Sequence, residues 1–288
     1  MATHAVTGAS SFTGRFIAQR LIGTGHQVRD LGRGDLANLE RMRAALDGCD
    51  SLYNTFWIRF ERGPITYAWA IERTRTLFEA ARGAGVRRIV HLSVINASRT
   101  APTAYFRAKA VVEEALVATG IGHAILRPTV TYGPGDILVN NLAWTLRHLP
   151  AFGIPGNGRY PIQPVHVEDV AEVAVRAGAM VETVTLDVGG PDIFTFNEFV
   201  ALVRRGIGSR ALIVHMPVTA SLAAARLIGL VVRDVVLTRH EVTELEEHLM
   251  FSTQPPAGTI GLGEWLATNA DGLGRRWASE LDRHFRSR

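Results

Sequence analysis

Three side chains in the middle of the chain are of types that move a proton on and off an oxygen: Ser93, Tyr105 and Lys109. A phenol with its ordinary pKa near 10 is a poor base at neutral pH. A fixed ammonium beside it stabilises the phenolate and lowers that pKa. Tyr105 and Lys109 are four residues apart, one turn along one face of a helix. Ser93 closes an apolar run and is placed to hydrogen-bond a substrate oxygen. Such a trio exchanges a proton with a carbonyl or a secondary alcohol. The plain alternative is a Tyr–Lys pair on a solvated helix face.

Composition weighs against that alternative. Of 288 residues, 31 are Lys or Arg, and Lys109 is the one lysine. A lysine kept against so strong an arginine bias points to a site where a planar guanidinium fails. A compact ammonium with three donors suits the hydroxyls of a nicotinamide ribose. With only five tyrosines in the chain, chance seldom places the one lysine four residues after one of them.

A nicotinamide must be held by the rest of its dinucleotide, and the N-terminus offers the turn for it. Ala5-Val6-Thr7-Gly8-Ala9-Ser10-Ser11-Phe12-Thr13-Gly14-Arg15 follows a short apolar run and precedes Phe16–Ile22, which is apolar at helical spacing. The pattern reads strand, glycine turn, helix. Gly8 allows the sharp turn and a close approach to phosphate, and Gly14 lets the helix pack on the strand. The amides of Ser10, Ser11, Phe12 and Thr13 then face a pyrophosphate at the helix start. Ser11 stands where the usual fingerprint has its middle glycine.

Taken in order, His26–Leu31 reads as a second strand, with Arg33 just beyond it. An arginine there favours the 2′-phosphate of NADP, with Arg15 as a second cation. NADP is therefore the expected cofactor, NAD the alternative. Between Leu31 and the strand at Asp50–Asn54 there is room for one helix, Ala37–Leu46, so the sheet is expected to be one strand–helix unit short or its crossover compressed. Thr55–Arg62 is an aromatic, basic loop at a carboxyl strand end, where ligands bind. Thr55 and Phe56 are cofactor candidates, and Arg59 and Arg62 are candidates for an anionic substrate. Pro64–Ala81 and Pro102–Ala118 read as helices, Arg88–Ser93, Gly122–Arg127 and Val184–Val188 as strands, Gly153–Gly158 as loop, and Val165–Val170 as the lead into another helix. Thr195 and Thr238 open capping boxes. Pro217–Val232 reads as an apolar helix, a substrate-pocket wall or partner surface rather than a membrane contact. The fold class is α/β: a Rossmann-type, doubly wound parallel sheet over residues 1–190, then a smaller, mostly helical substrate region over 191–288.

The totals exclude several classes. Apolar residues at 47% and charged residues at 20% describe a globular chain, and a net charge of +4 is modest. Arg275, Arg276, Arg283, Arg286 and Arg288 read as a solvated helix face rather than a nucleic-acid patch. One cysteine, Cys49, permits no internal disulfide, and with no signal peptide at the N-terminus this fits the cytoplasm. The 17 residues from Met216 to Val232 contain Arg226 and are short for a membrane span. The ten histidines show no ligand spacing, so no metal is expected.

Together these residues resemble the extended or atypical branch of the short-chain dehydrogenase/reductase superfamily. Gly8-x-x-Ser11-x-x-Gly14 is similar to that branch's glycine turn. Ser93 and Tyr105-x-x-x-Lys109 are similar to its catalytic residues. Asp35-Leu36 resembles the pair that touches adenine, and Arg127-Pro128-Thr129 with Val130, Tyr132 and Gly133 resembles the segment lining the nicotinamide. Gln163–Ala171 resembles a structural signature of nucleoside-sugar epimerases. The resemblance spans about residues 3–200 and extends to NmrA-like regulators and the 39-kDa subunit of respiratory complex I. It implies an NAD(P)-dependent oxidoreductase or epimerase acting on a small-molecule carbonyl or secondary alcohol, and a homodimer through two long central helices. It also implies the alternative, a non-catalytic NAD(P)-binding redox sensor or assembly protein.

Overall fold

A computed structural model describes residues 1–285; Arg286 and Arg288 lie outside the described residues. The chain packs as two compact units, residues 1–128 with 167–188, and residues 129–166 with the chain from 189 on. The second unit thus takes up 129–166, a stretch that the sequence reading groups with 1–190.

The first unit alternates strand and helix: β1 (Thr3–Thr7), α1 (Phe12–Gly23), β2 (Gln27–Leu31), α2 (Leu39–Leu46), β3 (Ser51–Asn54), α3 (Tyr67–Gly83), β4 (Arg88–Leu92), α4 (Ala104–Ala118) and β5 (Gly122–Pro128). The chain next forms β6 (Val130–Tyr132), α5 (Leu138–His148), β7 (Ala151–Pro155), β8 (Pro161–Ile162) and β9 (Pro164–His166) in the second unit. It returns to the first for α6 (Val167–Gly178) and β10 (Val184–Val188). It finishes in the second with β11 (Phe194–Thr195), α7 (Phe196–Gly206), β12 (Leu212–Met216), α8 (Val218–Val232), α9 (Arg239–Glu246), α10 (Leu262–Asn269) and α11 (Glu280–His284).

Six parallel strands form the main sheet in the order β10-β5-β4-β3-β1-β2. The order reverses between β1 and β3, because β2 lies to one side of β1 and the later strands of this sheet, β3, β4, β5 and β10, to the other. β2 is the outer strand, and a 3-10 turn (Asp35–Ala37) with the short α2 leads directly from it to β3. No strand lies outside β2 among the described residues, so the sheet is one strand–helix unit short there, as the spacing predicts. The sheet is covered on both faces, since each parallel crossover lays a helix on one of them. One core joins Ala5, Leu52 and Ile89 of the strands to Met42 and Leu46 of α2, Leu77 and Phe78 of α3, and Val112 and Leu116 of α4. On the other face α1 packs against α6. Tyr53 reaches that side, where a Cβ on Gly178 would come within 2.1 Å of its hydroxyl.

Several boundaries differ from the sequence reading, among them α2, which starts at Leu39 rather than Ala37 because Asn38 caps it by accepting the Arg41 amide. Pro64 sits in a reverse turn closed by Arg62 and Ile65, and α3 starts at Tyr67 because the Thr66 hydroxyl accepts the Trp69 amide. α4 starts at Ala104 rather than Pro102. Residues 151–155 are not loop: β7 pairs in parallel with β12 in a two-stranded sheet. Its apolar signal is masked by glycine and proline.

The second unit has its own core of Tyr132, Val139, Leu142, Phe199, Val203 and Trp265, among others. Both capping boxes are present, with Thr195 and Glu198 opening α7 and Thr238 and Glu241 opening α9. No helix among the described residues is long and apolar enough to cross a membrane. Of the C-terminal arginines, Arg275 and Arg283 bond the carbonyls of Asp271 and Gly135.

Candidate functional site

β1 ends at Thr7, and the chain reverses at Gly8 with φ +61°, a conformation that disfavours side chains. Gly8 donates its amide to the Leu31 carbonyl at 2.9 Å, and the Ser11 amide reaches back to the Gly8 carbonyl at 2.8 Å. A Cβ on Gly14 would stand 2.1 Å from that carbonyl. Ser11, in the middle-glycine position, caps α1 by accepting the Gly14 amide at 3.3 Å. α1 has no acidic residue in its first turn, and Ser10 is exposed while Phe12, Thr13 and Arg15 are half-buried. The Ser11 amide, expected at the pyrophosphate, is thus committed to the turn, and the start of this 12-residue helix, beside a turn no side chain can fill, leaves the amides of Ser10, Phe12 and Thr13 for a dinucleotide's pyrophosphate.

At the end of β2 the structure adds a residue that the sequence reading missed. Asp30 accepts the Ala9 amide of the glycine turn at 2.7 Å. It lies about 20 residues after the glycines, the spacing at which a carboxylate meets the adenosine ribose. Arg33 is exposed beyond the strand. Asp35 turns its carboxylate to the Gly32 amide at 2.9 Å, and Leu36 is buried in the core.

Where the strand order reverses, a polar network crosses the carboxyl ends of β1, β3 and β4. Thr55 donates its amide to the Thr7 hydroxyl (2.7 Å) and its own hydroxyl to the Thr7 carbonyl (2.6 Å). Phe56 donates its amide to Asn54 Oδ1 at 3.1 Å. The Thr7 hydroxyl and Asn54 Oδ1 are also 3.1 Å apart, and Asn54 Nδ2 lies 3.1 Å from His91 Nδ1. An amide N–H can only donate, so Oδ1 faces Phe56 and Nδ2 donates to His91. This leaves His91 neutral, with its proton on Nε2. Burial, aided by the Lys109 charge, also holds its pKa well below the usual value. The network pins Thr55 and Phe56 at the edge where open parallel sheets bind ligands.

Ser93 follows β4, its amide bonded to the Leu126 carbonyl at 2.7 Å. Its Oγ is buried and has no hydrogen-bond partner. A buried polar atom left unmatched is costly, a state that Ser93 shares with atoms such as His166 Nε2 and Ser221 Oγ, and Ser93 differs from these in following the carboxyl end of β4, in company with Tyr105 and Lys109 in the sequence pattern. Tyr105 and Lys109 project from one face of α4. Tyr105 is half-buried, edge-on to both Trp57 (6.4 Å) and Tyr67 (6.1 Å). Lys109 is 3% exposed. Its Nζ donates to the Leu92 carbonyl at 2.8 Å and lies 4.5 Å from the centre of the Trp57 ring. Burial pushes its pKa down to about 7, against the pull of Glu113. The sequence gives no sign of this cover. In the described arrangement Trp57 overlies the ammonium expected to meet a ribose. Arg59 stacks on Phe60, and its carbonyl accepts the Tyr67 hydroxyl. Arg62 is exposed in its turn.

Pro128 ends β5, and its carbonyl accepts the Ile95 amide at 3.0 Å. In the second unit, Thr129 is buried and Val130 donates its amide to the Gln163 carbonyl at 3.3 Å. Gln163 clamps that unit, donating to the Gly190 carbonyl at 2.7 Å and accepting the Ser252 amide at 2.9 Å. A Cβ on Gly190 would overlap the Pro164 carbonyl. Among the described residues no group of three or more His, Cys, Asp or Glu could hold a metal ion.

Comparison with known proteins gives the family and the fold. The family model described as the NAD dependent epimerase/dehydratase family matches residues 4–189. A mitochondrial NADH dehydrogenase [ubiquinone] 1 alpha subcomplex subunit 9 of Arabidopsis thaliana is 26% identical over 251 residues, 77% of this chain and 62% of that protein. The chain spans 63% of its counterpart from Dictyostelium discoideum. A 4-hydroxy-2-methyl-3-oxo-4-farnesyl-3,4-dihydroquinoline-1-oxide ketoreductase of Stigmatella aurantiaca is 26% identical, covering 77% of this chain and 78% of that one. Among solved structures, the triphenylmethane reductase of Citrobacter sp. superposes with a TM-score of 0.74 at 19% identity, over 94% of this chain and 100% of that one. A UDP-N-acetylglucosamine 4-epimerase from Bacillus cereus superposes with a TM-score of 0.64 at 19% identity, over 75% of this chain and 86% of that one. The fold is shared with both reductases and epimerases, and the family match covers the glycine turn, the switch point and the Ser93–Tyr105–Lys109 strand and helix. The chain belongs to the NAD dependent epimerase/dehydratase family.

Proposed function

We propose that the chain is an NADP-dependent oxidoreductase or epimerase that transfers hydride at a carbonyl or secondary alcohol of a small molecule, with Tyr105 as the acid/base. The observation that carries this is the buried Ser93 Oγ without a partner, at a carboxyl strand end and accompanied by the one lysine placed a turn after a tyrosine. A dinucleotide supplies or accepts the hydride when bound. Ser93 donates to the reacting oxygen and holds it in place. Tyr105 gives that oxygen its proton in reduction, or takes it in oxidation. Lys109 favours the phenolate through its charge. The amides at the start of α1 hold the pyrophosphate. The relative named as a ketoreductase of a 3-oxo-dihydroquinoline-1-oxide supports this chemistry.

The test is Tyr105→Phe, which keeps the ring and removes the proton. Turnover is lost while dinucleotide affinity stays within about twofold. Undiminished turnover overturns the assigned role. A wild-type chain that binds dinucleotide but turns over no carbonyl across a broad panel would favour a non-catalytic sensor instead, a role for which the burial of Lys109 beneath Trp57 is the motivating observation.

A further inference from the structure

The second unit carries a helix with an exposed apolar stripe. The buried residues of α8 are small, Ser221 and Ala225. Three of its large aliphatics face outward, Leu227 at 66% exposure, Leu230 at 72% and Val231 at 79%, while Val218, Leu222, Ile228 and Val232 are half-buried. At about 100° per residue, Ala223, Leu227, Leu230 and Val231 share one face, with Arg226 at its margin. Arg233 follows at the helix end, also exposed. On β12, the strand just before, Leu212 and Val214 are exposed as well. The surrounding sequence is one-sided in charge: between Glu198 and Asp234 there is no Asp or Glu, but there are five arginines. Scattered exposed aliphatics need no explanation, whereas a contiguous apolar stripe does.

We propose that this face of α8 docks on an anionic lipid surface. The helix has 15 residues, about 22 Å, too short to cross a bilayer and long enough to lie in its interface. Leu227, Leu230 and Val231 enter the acyl boundary, and Arg226 and Arg233 stand at its edge, at the level of negative headgroups. A second copy of the chain fits this face poorly. A two-fold contact centred on the helix brings Arg226 of one copy toward Arg233 of the other, and the stretch between Glu198 and Asp234 offers no carboxylate to pair with them. An anionic membrane supplies both the apolar layer and the opposite charge, and needs no complementary shape.

The test is flotation of the full chain with vesicles of phosphatidylcholine alone and of phosphatidylcholine with phosphatidylserine. Three chains are compared: wild type, Leu227→Ser with Leu230→Ser, and Arg226→Gln with Arg233→Gln. These side chains are exposed, so the variants keep their thermal unfolding profile and dinucleotide binding, which also controls for folding. The expected result is binding of wild type to the anionic vesicles. It weakens about tenfold in the serine variant and with added salt, and the glutamine variant loses the preference for phosphatidylserine. Wild type that stays off anionic vesicles overturns the proposal, as does a serine variant that binds equally well. Sedimentation showing a dimer that the serine variant dissolves would assign the face to a second copy and overturn it too.

Discussion

The Nζ of Lys109 lies 4.5 Å from the centre of the Trp57 indole, and on its other side it donates to the Leu92 carbonyl at 2.8 Å. The ammonium is thus held between an aromatic face and one carbonyl, out of water. An indole face attracts a cation, but it replaces only part of the lost hydration, and the pKa falls to about 7. Trp57→Ala readmits water and moves the pKa up toward 10.5. Because Lys109 is the one lysine, a carbon-13 lysine label reports it as a single resonance. The expected outcome is a titration near neutral pH in wild type and a clearly higher midpoint in the variant. Dinucleotide added to wild type is expected to shift the Trp57 signal, since the ring overlies the group proposed to meet the ribose.

The same burial sets a stability prediction. The folded-state pKa of Lys109 is lowered from 10.5 to about 7. Between those values the unfolded chain holds the proton and the folded chain releases it, so folding gains stability as pH rises. Below about pH 7 both states are charged, and the cost of burying the charge is full. Lys109→Met removes the group, so the variant exceeds wild type in stability near pH 6 by on the order of 3–5 kcal/mol. The gap closes as pH approaches 10. Urea unfolding at a series of pH values measures it, and the variant is expected to lack turnover throughout.

Asn54 and His91 form a second linked pair. With Phe56 donating to Asn54 Oδ1, Asn54 must donate to His91, which therefore stays neutral. Its pKa is held below the usual 6.5, so the stability it contributes is full above that value and declines as pH falls and the unfolded chain gains the proton. His91→Phe leaves the Asn54 amide buried and unmatched, costing about 1–3 kcal/mol. It also loosens Thr55 and Phe56, so dinucleotide affinity falls while the Tyr105 proton step is retained. A variant with unchanged affinity would deny the network its positioning role.

Much of the fold is legible in the sequence. Parallel strands buried on both faces leave runs rich in apolar residues, such as Ile89, Val90 and Leu92 of β4, and helices between them leave a 3.6-residue period. The missing unit beyond β2 is legible too, because chain length between Leu31 and Ser51 limits what can be built. What escapes is whatever depends on distance in space. β7 pairs with β12 some sixty residues later, and its glycine and proline read locally as loop. Trp57 reads as part of an aromatic loop, and nothing in the spacing places it over Lys109. The capping role of Ser11 is visible only once Gly14 is seen to present its amide. Asp30 lies within a strand pattern, where alternation makes it look merely solvent-facing.

Gly14 tests the phosphate turn. A Cβ there would stand 2.1 Å from the Gly8 carbonyl and 2.9 Å from the Ser11 hydroxyl. The first contact is backbone and cannot yield without moving the turn. Gly14→Ala is expected to lower stability by about 1–3 kcal/mol and to abolish dinucleotide binding, as followed by calorimetry. Ser11→Ala removes only the cap, costing about 1 kcal/mol with binding weakened rather than lost. Equal behaviour of the two variants would mean that the turn is not the phosphate site.

The nucleotide preference rests on Asp30 and Arg33, which pull in opposite directions. A carboxylate at the end of β2 favours the ribose hydroxyls of NAD, and an arginine favours the added phosphate of NADP. Asp30 has one oxygen committed to the Ala9 amide, which orients the carboxylate and takes up part of its accepting capacity. Arg33 is exposed just beyond the strand, and Arg15 lies in the first turn of α1. Arg33, with Arg15 stacked on Phe16 at 4.8 Å, offers two positive charges to an added phosphate where Asp30 offers one negative charge. Wild type is therefore expected to bind NADPH more tightly than NADH, by nicotinamide fluorescence, with the difference shrinking as salt is raised. Arg33→Ala should weaken NADPH by about tenfold and leave NADH nearly unchanged, since about 1.4 kcal/mol is reasonable for one charged hydrogen bond to phosphate. Asp30→Asn keeps the bond to Ala9 while removing the charge, so it should strengthen NADPH further. If Asp30→Asn instead weakens NADH and wild type prefers NADH, the ribose is held by Asp30 and the cofactor is NAD.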